Sequence, residues 1–253
     1  TKQDFVNIQS LGCDVVRLPI NLHFMTDGEP NYTVDPLFLY FLDQIIDWTE
    51  ELELHLILDN HTFDVDSSTA VSIDEILVPV SDATKGQRLV LGLCEEGNYR
   101  TIVASAMAND HLVLGRTPMD VNLAKQLNIL MTDMGLPLDR IVMDPTTGAL
   151  GYGIEYGYSV MERLRLAALQ GDAMTQLPML VNPGVECWKT KEAKVDEGVP
   201  DEWGAWAERG INWETLTAVS LVEAGADIVV IRHPETLKRV RAAIGELMAA
   251  ETV

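Results

Sequence analysis

From Arg140 to Asp172 the chain reads RIVMDPTTGALGYGIEYGYSVMERLRLAALQGD, and no other stretch restricts the fold as much. It opens as an apolar strand over Arg140 to Pro145 and breaks into a loop holding Gly148, Gly151, Gly153 and Gly157. It resumes as a helix whose Val160, Met161, Leu164, Ala167 and Ala168 recur near a 3.6-residue period. Strand, glycine turn, helix is the order of an α/β protein, in which the loop at a strand's carboxyl end faces ligand. Glycines there let backbone approach a bulky partner closely; a merely tight turn is the alternative reading of the same residues.

The alternation recurs along the chain. Residues 2–11 put Phe5, Ile8 and Leu11 on one helical face, and Gly12 stops that helix. Strands are predicted at 14–20, 54–59, 87–93, 111–116, 140–144, 178–182 and 227–232, with helices between them and a last amphipathic helix, ETLKRVRAAIGELMAA. After the first strand, Asp35 is placed to cap a helix and Pro36 to open it, with Leu39, Leu42, Ile45, Ile46 and Leu52 as its buried stripe. IDEILVPVSDA, over 73–83, is compatible with a helix carrying a late Pro79 or with a short strand EILVPV. Strands separated by helices imply parallel pairing, in a closed barrel or an open doubly wound sheet.

Charge excludes several roles. Eighteen Lys and Arg face 39 Asp and Glu, a formal charge of -21 that repels phosphate backbones and anionic lipid, so neither nucleic acid nor membrane is expected as a partner. Cys13, Cys94 and Cys187 are odd in number and far apart, which fits a reducing, cytoplasmic setting rather than a disulfide framework. There is no CxxC or Cys/His cluster, so no metal site is expected. Gly148, Gly151 and Gly153 do not form the dinucleotide fingerprint.

Two resemblances extend this reading. VNLAKQLNILMTDMGLPLDRIVMDPTTG, WKTKEAKV and RHPETLKRV resemble the small subunit of the corrinoid iron–sulfur protein of the acetyl-CoA pathway, over about Ala83 to Met248. LGCDVVRLPINLHFM and the stretch from Tyr32 to Asp64 resemble the second and third βα units of a family-5 glycoside hydrolase. Both families are (β/α)8 barrels, so the expected fold is a single TIM-barrel domain over residues 1–253, with seven readable strands and the first one missing. The resulting open edge is expected to be closed by direct pairing, by a loop, or by dimerisation; otherwise the chain is a monomer.

What the resemblances imply about function diverges. The hydrolase family places an Arg and a His near its catalytic carboxylates, and Arg17 and His61 match them. Its Asn-Glu-Pro motif does not occur, which leaves Glu95 and Glu186 as the glutamates following the fourth and seventh barrel strands. The corrinoid family implies a binding role, with a large subunit as partner and cobalamin over the strand ends. There the rim is Arg116, Thr117 and Asp144 to Gly148, with Asn182 to Gly184, Arg232 and His233. The cofactor-binding candidates are Thr146, Thr147, Gly148, Asn182, Gly184, Arg232 and His233, and no catalytic residue is assigned. Cys187 stands where a small Ala is usual in that family. Because each family's activity needs parts absent here, the main expectation is an engineered or recombined scaffold joined near residue 80, without cofactor or native catalytic cycle. Residual corrinoid binding and weak glycoside hydrolysis through Glu95 and Glu186 are the alternatives.

Overall fold

The computed structural model describes residues 1–20, 33–60, 73–148 and 150–250, which form two compact units. The first comprises Thr1–Arg116 and Leu127–Val142; the second comprises Thr117–Gln126 and Met143–Val253.

The first unit begins with α1 (Lys2–Ser10), β1 (Val15–Ile20), α2 (Pro36–Glu51) and β2 (His55–Asn60). It continues through α3 (Ile73–Ala83), β3 (Val90–Cys94), α4 (Tyr99–Asn109) and β4 (Leu112–Arg116). Next come α5 (Val121–Asp133), whose first residues belong to the second unit, and β5 (Ile141–Asp144), where the unit boundary falls. The strands order β1-β2-β3-β4-β5. β1 to β4 pair in parallel, with Val15 opposite His55 and Val90 opposite Leu112. β1 is the end strand of this sheet. α1 packs beside α2 through Phe5 and Trp48, ring centroids 5.8 Å apart, and through Gln9, which donates to the Leu52 carbonyl at 2.7 Å.

Local signals explain these elements well. Asp35 accepts from Leu37 N at 2.8 Å and Pro36 occupies the first turn, where its missing N–H costs nothing. The 73–83 segment is helical despite Pro79. Leu77 and Val80 lie on its buried side, and Val80 joins Ile20, Leu42, Ile46, Leu56, Leu58 and Leu89 in one core. That core runs across position 80, where the sequence suggested a join.

His111, fully buried just before β4, ties α3 to the start of β3. Its Nδ1 accepts from Leu89 N at 3.2 Å, so Nε2 carries the proton and donates to the Ser81 carbonyl at 3.0 Å. Burial holds its pKa below the ordinary 6.5; the Ser81 carbonyl opposes that, Arg140 adds to it, and Asp110 opposes it. The unfolded chain therefore binds more protons than the folded one below about 6.5. The stability from His111 is complete above that pH and declines as pH falls through the folded value. Urea unfolding between pH 7 and pH 5 is expected to show a loss that is smaller in His111→Gln. Identical pH profiles would rule out this source.

The second unit holds α6 (Glu155–Leu169), β6 (Leu180–Val181), α7 (Pro183–Lys189), α8 (Lys191–Lys194), α9 (Trp206–Glu223), β7 (Ile228–Val229) and α10 (Pro234–Ala250). Met143 bridges Met179 in parallel, and Leu180 and Val181 pair with Ile228 and Val229, also in parallel. All seven predicted strands are present, and β7 ends its pair. One expectation shifts: α6 starts at Glu155, so Gly157 is a buried helical residue and not part of the glycine loop. Residues 183–189 form α7, because Asn182 caps it by accepting from Val185 N at 3.2 Å and Pro183 suits the first turn.

The three cysteines are free thiols. Burial pushes the Cys94 and Cys187 thiols up to about 12, and Cys187 packs in α7 with its Sγ 3.8 Å from the Trp213 carbonyl.

Candidate functional site at the strand ends of the second unit

All seven candidate residues lie in the second unit, on segments that follow β5, β6 and β7. After β5, buried Asp144 accepts from Thr146 N at 2.9 Å, and Thr146 Oγ1 donates to the Thr117 carbonyl at 2.8 Å. These bonds hold Thr146 at φ 64, a left-handed conformation that costs a β-branched residue about 1–3 kcal/mol. Thr147, also buried, turns its hydroxyl to Asn182 N, which donates to Oγ1 at 2.8 Å and links the β5 and β6 loops.

The β6 and β7 ends are joined next. Gly184 N donates to the Val230 carbonyl at 2.8 Å, with backbone packed so close that a Cβ would lie 2.8 Å from Arg232 N. Behind them Glu214 of α9, fully buried, accepts from Arg232 N at 2.6 Å and from His233 N at 3.2 Å. His233 Nδ1 accepts from Glu235 N at 3.1 Å. The Trp188 ring stacks on His233 at 6.1 Å and 23°, and the Arg232 guanidinium lies over the same ring at 5.7 Å.

Sequence reading named these loop residues and missed what anchors their backbone. Glu214 carried a legible signal, an acid on a helix stripe otherwise formed by Ile211, Thr217, Ala218 and Leu221. Trp188 carried none, because its role depends on Gly210, whose Cβ would lie 2.7 Å from the ring.

Thr146, Thr147, Gly148, Leu150, Ile154 and Gly157 contribute to a small pocket of about 10 Å³. That is space for roughly one water, too little for a macrocycle. Arg232 is exposed, and His233 and Asn182 are half-buried. Glycines and polar side chains of this kind suit the edge of a ligand ringed by amides. Among the described residues, no three His, Cys, Asp or Glu stand together as a metal site. Also among them, no helix is long and apolar enough to cross a membrane.

The hydrolase candidates find no such support. Glu95 is an exposed residue of the first unit, and Glu186 belongs to α7 of the second, where it pairs with Lys189 at 2.9 Å. Arg17 lies on β1 opposite Ile57, and His61 falls outside the described residues.

Comparison with known proteins bears on the same residues. The sequence model of the CO dehydrogenase/acetyl-CoA synthase delta subunit matches residues 63–242, and that of cellulase (glycosyl hydrolase family 5) matches residues 1–83. Residues 63–83 are thus covered by both, and the cellulase match stops before Glu95 and Glu186. Acetyl-CoA decarbonylase/synthase complex subunit delta 1 of Methanosarcina thermophila is 39% identical over 169 residues, 64% of this chain and 38% of that protein. Subunit delta of Methanopyrus kandleri is 39% identical over 176 residues, 69% of this chain and 43% of that protein. The chain thus spans about two fifths of the length of these curated relatives. Dihydropteroate synthase of Thermus thermophilus superposes with a TM-score of 0.60 at 15% identity, covering 98% of this chain and 88% of that one, which shows the α/β TIM-barrel fold. These matches overturn the expectation of an engineered scaffold without a native role. Identity near 39% to natural archaeal subunits, over most of the chain, reflects descent, and the delta-subunit match begins at 63, ahead of the join expected near 80.

Proposed function

The chain belongs to the CO dehydrogenase/acetyl-CoA synthase delta subunit family, and on that premise we propose that it is a binding subunit whose strand-end rim receives a corrinoid. One observation carries the reading. The bond from Asn182 N to Thr147 Oγ1 and that from Gly184 N to the Val230 carbonyl hold Thr146, Thr147, Gly148, Asn182, Gly184, Arg232 and His233 as one surface.

Each residue has a definite task. Thr147 spends its hydroxyl lone pair on the Asn182 backbone and thereby sets the spacing of the first two loops. Gly184 keeps the third loop close. Glu214 holds Arg232 and His233 by their backbone, so their side chains remain available to the ligand. A bound corrinoid would supply the methyl-carrying chemistry; the protein supplies orientation and shelter. The relatives are named as subunits of a complex, and a corrinoid-bearing large subunit is the partner we propose. The free thiols fit a reducing compartment, where we place the assembly.

Titration of hydroxocobalamin with the purified chain tests this reading through the visible spectrum. A saturable spectral change is expected, and it should weaken in Gly184→Ala, which forces the third loop away. A spectrum unchanged with protein in large excess would overturn corrinoid binding by this chain.

A further inference from the structure

We propose that Arg232 and His233 form a receiving site for an oxyanion, a carboxylate or a phosphate group, at the end of β7. The inference deepens the reading of the strand-end rim and rests on it for location, but it does not depend on the ligand being a corrinoid.

The argument starts from how the other arginines are spent. Arg140 donates to the Ala106 and His111 carbonyls, and Arg165 to the Gly225 carbonyl and Asp227. Arg209 donates to the Glu192, Val195, Trp203 and Gly204 carbonyls, and Arg239 to Glu208 and Asn212. Arg232 differs from these four: it is exposed, its guanidinium lies over Trp188, and among the described residues it is paired with no carboxylate.

The surroundings make it a built arrangement. A guanidinium resting over an indole keeps N–H groups that can donate to a carboxylate or phosphate with two bonds. His233, the next residue, carries a second donor and touches the same Trp188 ring. Because its Nδ1 accepts from Glu235 N, the proton of the neutral ring is on Nε2. The backbone of both residues is held by the fully buried Glu214, and the Trp188 platform needs Gly210 at its edge. Two donors on consecutive residues, each with its backbone fixed by Glu214 and neither given a side-chain acceptor by the described residues, suit a ligand bearing negative oxygens.

The test uses the whole chain with inorganic phosphate and, separately, succinate, at ionic strength held constant with chloride. The readout is the His233 ring signals in NMR, picked out from the five histidines by comparison with His233→Gln. Saturable movement is expected with at least one of the two anions, at least tenfold weaker in Arg232→Gln and partly restored in Arg232→Lys. A response to phosphate alone assigns the phosphate source, and one to succinate alone the carboxylate. Movement no larger than with chloride, or equal in Arg232→Gln, would sink the proposal. Hydroxocobalamin titration separates the two readings. Corrinoid binding without an anion response defeats this inference alone; an anion response with an unchanged corrinoid spectrum defeats only the corrinoid.

Discussion

Glu214→Ala is expected to destabilise the chain by about 3 kcal/mol, because it strips the acceptor from two N–H groups that have no other partner among the described residues. Hydrogen bonds to a charged acceptor contribute roughly 1.5–3 kcal/mol each, and a buried donor left unsatisfied costs about 1–3 kcal/mol. Release of a carboxylate from a fully buried position offsets part of that loss. Glu214→Gln keeps one acceptor oxygen and should lose about half as much. For a chain of 253 residues the alanine variant then melts roughly 6–12 °C lower. Denaturant and thermal unfolding measure both variants, and an alanine variant within about 0.5 kcal/mol of the parent, the range of an unremarkable surface change, would show that Glu214 does not hold the β7 end. The same variant should release Arg232 and His233 from their set positions, so rim binding weakens along with stability.

Gly184→Ala is expected to cost about 2–3 kcal/mol, in the upper part of the range for overpacking a filled site. Its Cβ would stand 2.8 Å from Arg232 N, 2.8 Å from the Val230 oxygen and 3.0 Å from the Ile231 carbonyl carbon. All three are backbone atoms, so no side chain can swing away, and relief requires α7 to separate from the β7 end and break the bond from Gly184 N to the Val230 carbonyl. Gly157→Ala is the internal comparison. Gly157 lies inside α6, a Cβ there meets nothing within 4 Å, and removal of a helical glycine should stabilise by about 0.5–1 kcal/mol. Urea unfolding of the two variants side by side would refute the packing argument if both moved in the same direction.

How far the fold was legible depends on how local each signal is. The Asp35 cap and Pro36 are neighbours in sequence, so the start of α2 could be read directly. The 73–83 segment could not, since β-branched and apolar residues suit both a strand and a helix. Burial of Leu77 and Val80 on one side, with Ser81 and Thr84 tied to neighbours, selects the helix. Gly157 misled for a related reason, because glycine composition alone does not tell a loop from a helix whose buried side has room for one. At the site, Thr147 and Asn182 were recognisable as strand-end residues, but their bond spans 35 residues and leaves no trace in local spacing. The expectation of an engineered join came from weighing two resemblances separately. Identity near 39% to natural archaeal delta subunits over most of the chain corrected it.

By itself the order of residues determined seven strands, the helices between most of them, and the three loops that carry the rim. Periodicity, caps and glycine turns act over a few positions, and they fix elements before any tertiary contact forms. Only the tertiary structure decided which polar groups meet. Glu214 serves Arg232 and His233 from 18 and 19 residues away, and Trp188 serves both from another helix. Such pairings are selected by the need to satisfy buried donors and acceptors once apolar faces have packed, and that requirement exists only in three dimensions.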